Sequence, residues 1–300
     1  LQKYDFSDEP FYFCSMKKTI LLYLKQSVLA ALLLAGLFSC RPDRSEALMA
    51  QARQAMAENR FQAAKSYLDT IQALYPKDLV KLKAVRQMFF EVEFAEQQHS
   101  QAGSDSLLAL RRTELPAKIK DFVLEKDGDT DAPGYYVHLR QRYSQRSGQT
   151  WLQSSVGQRG QLVLTSYYCG SRKLDHSRLR LYAPDGSYAE TDAVLPDGAL
   201  NYSFNDGGLY YEIVRFNARA AAALPDFVRL HSGETIKVSL LGDNRRYDYT
   251  LRSEDRDVLL QAAEASVILS DIARLEDEHR LADAKMDFLR KKMQTANDLE

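Results

Sequence analysis

Few residues in this chain have the types and spacing that could support chemistry, and none completes a catalytic set. Asp127, Asp129 and Asp131 alternate, the arrangement by which carboxylates converge on a calcium ion. The pattern then breaks. Ala132 stands where the sharp turn needs glycine, and His138 where a bidentate glutamate is needed, so the segment reads as an acidic loop between strands. Cys169 is followed by His176, but a Cys–His nucleophile needs its base within hydrogen-bond reach and positive surroundings. Tyr167-Tyr168-Cys169-Gly170 reads as the end of a strand, so a small buried thiol is expected there. The sequence holds no pair of histidines at ligand spacing on one helix and no two-cysteine zinc motif. It also lacks a serine nucleophile elbow and a phosphate loop. The chain is therefore read as non-enzymatic, with no cofactor and no metal.

The middle of the chain is more distinctive for its aromatic residues. Tyr135-Tyr136, Tyr167-Tyr168 and Tyr210-Tyr211 are adjacent pairs, and Trp151 lies between the first two. Neighbours on a strand face opposite sides, so one member of each pair faces solvent if the strands bury only one face. Exposed rings of this kind can stack on sugars, which makes Tyr135, Tyr136, Trp151, Tyr167, Tyr168, Tyr210 and Tyr211 candidate glycan contacts. The competing reading is ordinary cross-strand packing. Arg140, Arg142 and Arg146 lie beside Trp151 and read as a solvated strand edge. A net charge of −1 over 300 residues argues against nucleic acid as a partner.

The elements that must position these residues fall into three textures. From Ser45 to Glu58 and from Phe61 to Tyr75, apolar residues recur at helical spacing, with a turn at Asn59-Arg60 and a stop at Pro76. Asp43 and Glu46 fit a capping box for the first helix. Leu48, Ala52, Phe61, Ala64 and Pro76 together resemble a single tetratricopeptide repeat, with Leu48 in place of the usual aromatic and Ala52 in place of the glycine. A third helix is expected over 78–98, a break over 101–106 and a short helix over 105–114 before Pro116. One repeat cannot form the concave groove of a longer array, so the helices are expected to pack on the rest of the protein.

From about Lys120 to Arg252 the chain reads as short strands separated by turn signals: 122–126, 134–140, 161–168, 178–183, 199–204 and 209–216, then a hairpin around Gly242-Asp243-Asn244. Asn205-Asp206-Gly207-Gly208 supplies a hairpin turn. An alanine-rich helix is expected over 218–224, ending before Pro225. The last texture is one long helix, started by Ser253 and acidic residues and spanning roughly 70 Å at 1.5 Å per residue. Its apolar positions alternate by three and four, a heptad seam that includes Ile272, Leu275, Ala282, Met286, Leu289 and Met293. These six are candidate interaction residues, either for an N-terminal helix of the same chain or for a protein partner, including a second copy.

The start of the chain carries an address. Lys17, Lys18 and Lys25 precede an uncharged apolar run from Val28 to Phe38, the pattern of a secretory signal and too short for a comfortable membrane span. Leu37-Phe38-Ser39-Cys40 resembles the lipobox of bacterial lipoproteins, with Phe38 departing from the small residue often found there. The resemblance implies that Leu37, Phe38 and Ser39 are read by the signal peptidase. It also implies that Cys40 becomes the lipid-bearing first residue, and acylation of that kind holds a protein stably at a bilayer. The chain resembles a Bacteroidetes-like envelope lipoprotein in this respect. Arg41 in place of aspartate favours the outer membrane.

The expected class is α+β: an N-terminal, tetratricopeptide-like helical hairpin, a central antiparallel β-sandwich-like region and a long C-terminal helix. The expected segments are an upstream extension (1–15), signal peptide (16–39), lipidated tether (40–44), helical region (45–116), β-domain (117–252) and C-terminal helix (253–300). The expected role is that of a lipid-anchored envelope protein, a non-enzymatic structural or protein-interaction module. The alternative is a surface glycan-binding lipoprotein.

Overall fold

The structure, a computed structural model, describes residues 43–126 and 133–297. Leu37, Phe38, Ser39, Cys40 and the acidic segment at Asp127, Asp129 and Asp131 lie outside the described residues. The chain is α+β. Two compact units divide inside the third helix, one holding residues up to 95 with those from 293 onward, the other holding 96–292. The division falls at residue 95, and most of the C-terminal helix groups with the sheets.

In the first unit, α1 (Arg44–Ala57) and α2 (Phe61–Leu74) form a hairpin. Asp43 caps α1, accepting from the Ser45 backbone N–H at 3.0 Å. Ala52, Ala55 and Ala64 are fully buried, which lets the helices approach closely, and Leu68 and Ile71 complete the seam. Val85, Met88 and Val92, on the first part of α3 (Leu79–Ile119), close the same core. The expected break over 101–106 does not occur, because α3 runs through it. Gly103 costs an exposed helix about 1 kcal/mol relative to alanine. Packing offsets this cost, since Leu107, Leu108 and Leu115 cluster with Ile268, Ile272 and Leu275.

The second unit contains two antiparallel sheets. Strands β1 (Phe122–Glu125), β2 (Tyr135–His138), β3 (Trp151–Gly157), β4 (Leu162–Gly170), β7 (Asn201–Asp206) and β8 (Leu209–Asn217) form one, in the order β1-β2-β3-β4-β8-β7. Strands β5 (Arg178–Tyr182), β6 (Tyr188–Glu190), β9 (Lys237–Leu241) and β10 (Arg246–Thr250) form the other, in the order β10-β9-β5-β6. One core joins them. Leu152, Leu164 and Phe216 come from the first sheet and Leu179, Leu181 and Leu240 from the second. The helix α4 (Leu224–Leu230) and the start of α5 (Ser253–Asn297) add Leu224, Val228 and Leu259.

Two expectations need correction. The alanine-rich stretch before Pro225 is not the helix. The helix follows it, with Pro225 in its first turn, where the missing N–H costs nothing. The central strand β3 is absent from the sequence reading, because Gln153-Ser154-Ser155 looks polar, yet all of β3 is buried.

The turn between β3 and β4 docks on α5 through glycine. Gly160 has φ +86°, and its carbonyl accepts from Ser266 Oγ at 2.6 Å and Ser270 Oγ at 3.2 Å. A Cβ there would lie 2.3 Å from the Ser270 backbone nitrogen. Gly160→Ala is expected to destabilise the protein by about 2–4 kcal/mol, since both the φ and the contact with helix backbone are denied to an L side chain. Thermal unfolding followed by circular dichroism checks this, and an unchanged midpoint would show that the turn does not hold the helix.

Candidate ligand-binding face

The six-stranded sheet turns one face to the core and leaves the other open. Strand register aligns the open face in rows. Trp151, Tyr167, Ile213 and Tyr202 form one row. Gln153, Thr165 and Arg215 form the next. Cys169, Tyr211 and Phe204 lie on the other side of the first. Tyr167, Ile213, Tyr202, Gln153, Thr165, Arg215 and Phe204 of these rows, with Tyr135, Val137 and Glu125 from the β1–β2 hairpin and Tyr143 from the following loop, surround an open cavity of about 370 Å³. That volume lies within the range of small-ligand sites.

The walls are aromatic and their positions are fixed by contact. Tyr143 lies 5.2 Å from Tyr167, and Tyr167 stacks on Trp151 at 4.8 Å and 11°. On the far side Phe204 stacks on Tyr211 at 5.0 Å and 7°. The polar groups are held as well. Gln153 donates through Nε2 to the Gln141 carbonyl at 2.8 Å and accepts the Tyr167 hydroxyl at 3.2 Å. Glu125 accepts from Arg142 Nε at 2.9 Å.

Behind this wall lies a buried ion pair. Arg146 Nη1 donates to Asp255 Oδ1 at 2.6 Å, and both residues are almost fully buried. The Arg146 guanidinium lies 5.0 Å from the Trp151 ring, a favourable cation–π distance. Gln141 closes the network, donating to Asp255 at 2.9 Å and to the Leu152 carbonyl at 3.1 Å and accepting from the Ser154 N–H at 2.8 Å.

The adjacent tyrosine pairs split as strand geometry requires. Tyr135, Tyr167 and Tyr211 lie on the open face, and Tyr136, Tyr168 and Tyr210 on the other. Tyr168 is buried and its hydroxyl donates to the Arg172 carbonyl at 2.8 Å. Of the seven sequence candidates, Tyr135 and Tyr167 line the cavity and Tyr211 buttresses Phe204. Trp151 is only 1% exposed and supports Tyr167 from behind. Tyr136, Tyr168 and Trp151 are not available to a ligand in the way expected of them. The sequence reading missed Phe204, Thr165, Arg215, Glu125 and Gln153 as site residues. Two-residue alternation along β4 and β8 would have found Thr165 and Arg215.

The Arg140, Arg142 and Arg146 group is not a single solvated edge either. Arg146 is the buried cation, Arg142 pairs with Glu125, and Arg140 is exposed. Cys169 is half-buried on the open face rather than buried. His176 does not serve it. Its ring nitrogens engage Glu212 Oε2 at 2.8 Å and Ser166 Oγ at 2.6 Å. Ser166, His176 and Glu212 thus hold the distances of a serine nucleophile, base and orienting acid. All three are at most 2% exposed, so no substrate reaches the hydroxyl in this structure. The arrangement instead staples the chain before β5 to β8, because Glu212 also accepts the N–H groups of Leu174 (2.6 Å), Asp175 (2.7 Å) and His176 (3.0 Å).

The heptad residues are largely spent inside the chain. Ile272 and Leu275 pack with Leu108, and Met286 and Leu289 are buried. Ala282 and Met293 are half-buried. Among the described residues no helix is long and apolar enough to cross a membrane, and no group of three metal-ligating side chains occurs. Comparison with protein families, curated proteins and solved structures finds no match.

Burial alone would push the Glu212 carboxyl up, but its hydrogen bonds from His176 and the three backbone N–H groups bring it from 4.5 down to about 2. A folded value below the unfolded one means stability that is complete above about pH 4.5 and lost as pH falls towards 2. Glu212→Gln is expected to cost about 3 kcal/mol at neutral pH and to flatten the acid limb of stability. Urea unfolding from pH 7 to pH 3 measures both, and an unchanged acid limb would remove Glu212 as its source.

Proposed function

We propose that this chain is a lipid-anchored envelope protein that binds a carbohydrate on the open face of its six-stranded sheet, without chemistry on the ligand. The observation that carries the reading is the cavity wall, in which Tyr135, Tyr143, Tyr167, Tyr202 and Phe204 alternate with Thr165, Gln153, Arg215 and Glu125. A pyranose is amphipathic in the same way. Its C–H face suits an aromatic ring and its hydroxyls suit side-chain donors and acceptors. A purely apolar ligand would take water from the polar groups of this wall and offer them no hydrogen bond in return. The anchor comes from the sequence alone, through Leu37-Phe38-Ser39-Cys40 and the charged and apolar stretch before it.

The protein-interaction reading of the C-terminal helix is weaker, because part of the apolar seam it needs, at Ile272 and Leu275, is occupied by α3 of the same chain. Glycan-array screening of the mature chain, followed by titration calorimetry on the best ligand, tests the proposal. Tyr135→Ala and Tyr167→Ala are each expected to weaken binding at least tenfold while leaving the unfolding midpoint within a few degrees. Absence of any glycan ligand, or binding indifferent to both substitutions, would sink it.

A further inference from the structure

We infer that the turn between α2 and α3 is a membrane-contacting tip, seated in the headgroup layer beside the lipid on Cys40. The inference rests on the lipoprotein reading above and adds which surface of the helical unit meets the bilayer. Leu79 and Val80 are each 80% exposed at the first turn of α3, and Leu74 is 53% exposed at the end of α2. Pro76 and Lys77 between them are exposed as well. Large aliphatic side chains left this bare and this close together mark an interaction surface more often than chance.

The occupant is identified by where the chain leads. Asp43 is bound to this same turn: its carboxylate lies 3.2 Å from Lys81 Nζ, and the next residue's N–H, that of Arg44, donates to the Tyr75 hydroxyl at 3.1 Å. Lys81 is itself held by Asp78 at 2.6 Å and lies 4.7 Å from the Tyr75 ring. Cys40 precedes Asp43 by three residues, and three residues span at most about 11 Å. The backbone of Cys40 is therefore tethered within about 11 Å of Asp43, and Asp43 and Arg44 are bound to Lys81 and Tyr75 on either side of the turn that carries Leu79 and Val80.

Charge agrees with that partner. Lys77 and Lys83 flank the apolar pair, and Arg41 and Arg44 flank the anchor. Of the three acids at this end, Asp43 is engaged with Ser45 and Lys81 and Asp78 with Lys81, and Glu46 is exposed. Basic residues around exposed aliphatics suit the phosphate layer of an anionic leaflet. The opposite end of the hairpin, at Glu58-Asn59-Arg60, has no comparable aliphatic residue. A lipid-bearing first residue alone would leave the body free to tumble on its tether, whereas a seated tip fixes the helical unit against the surface.

The test uses the full chain expressed with its signal, purified and reconstituted in vesicles of phosphatidylethanolamine and phosphatidylglycerol. An environment-sensitive nitrobenzoxadiazole label is placed at Leu79→Cys or, as the control at the far end of α2, at Gln62→Cys, both in a Cys169→Ser background. The label at position 79 is expected to shift to the blue and to lose at least half its emission to lipids spin-labelled near the headgroup. The label at position 62 should do neither. Equal, water-like behaviour at both positions would overturn the proposal.

Mass spectrometry of the N-terminal peptide reports separately on acylation of Cys40. If Cys40 carries no lipid, the anchor reading fails. The mature chain coupled through the Cys40 thiol to a maleimide phospholipid then puts the tip to the same quenching test. In the unlabelled lipidated protein, Leu79→Asp with Val80→Asp is expected to raise protease cleavage at Lys77 at least threefold on vesicles, with no change in detergent. Equal cleavage in both settings would count against the tip.

Discussion

The buried pairing of Arg146 with Asp255 is the constraint on which the candidate site depends. Asp255 belongs to the first turn of α5, Arg146 to the loop after β2, and the two meet at 2.6 Å out of contact with water. Removing two charges from water is expensive, and their attraction repays it only when the remaining donors and acceptors are satisfied. Gln141 supplies part of that satisfaction, and the Trp151 face lies against the guanidinium. The consequence reaches the open face directly. Arg146 holds Trp151, Trp151 stacks on Tyr167, and Tyr167 meets Tyr143 at the cavity mouth. The first turn of α5 is thereby linked, contact by contact, to the ring positions at the cavity.

A second buried polar knot does different work on the core face. Glu212 would be intolerable among aliphatic residues as an unpaired carboxylate. It is accepted because three backbone N–H groups and His176 converge on it. The knot fixes the crossing from the six-stranded sheet to β5, where the chain leaves one sheet for the other and no ladder hydrogen bonds guide it. It has the distances of a hydrolytic triad, with Ser166 out of contact with solvent. Catalysis also requires a space beside the hydroxyl for a carbonyl and donors for the developing oxyanion.

The class of the fold was legible in the sequence, and the reasons differ by element. Helical spacing over 45–75 and the unbroken run after Ser253 are strong local signals, and the helices stand where they were expected. Hairpin turns rich in Asn, Asp and Gly placed β7 against β8. What was not legible was decided by distant partners. β3 hides three polar residues in succession: Gln153 is satisfied by Gln141 and Tyr167 and Ser155 donates to the Val163 carbonyl, all from other segments, while the Ser154 hydroxyl is buried without a partner among the described residues. The run through Gly103 stays helical because α5 lies along it. The tyrosine pairs announced a two-faced sheet, but which member faced the cavity depended on register, and Trp151 was withdrawn from the surface by an arginine that looked solvent-exposed.

The seam of α5 shows how far an apolar repeat can be taken. Heptad spacing says that a helix wants a partner along its length, but it does not say which. Here the partner for the stretch 264–283 is the stretch 101–118 of α3, running antiparallel. Lys118 meets Glu264 at 2.7 Å, Arg111 meets Asp271 at 3.0 Å, Arg112 meets Glu276 at 2.7 Å and Gln101 meets Asp283 at 2.9 Å. The exposed ion pairs of Lys118 and Arg112 are each worth little, about 0–1 kcal/mol, so they do not hold the helices together. Leu108 against Ile268, Ile272 and Leu275 does that. What the charges add is choice. A parallel arrangement, or a one-turn slip, would break the succession of opposite charges, and like charges brought together disfavour the wrong register. The information that fixes direction and register along α3 lies in those polar residues, outside the apolar repeat that first draws attention.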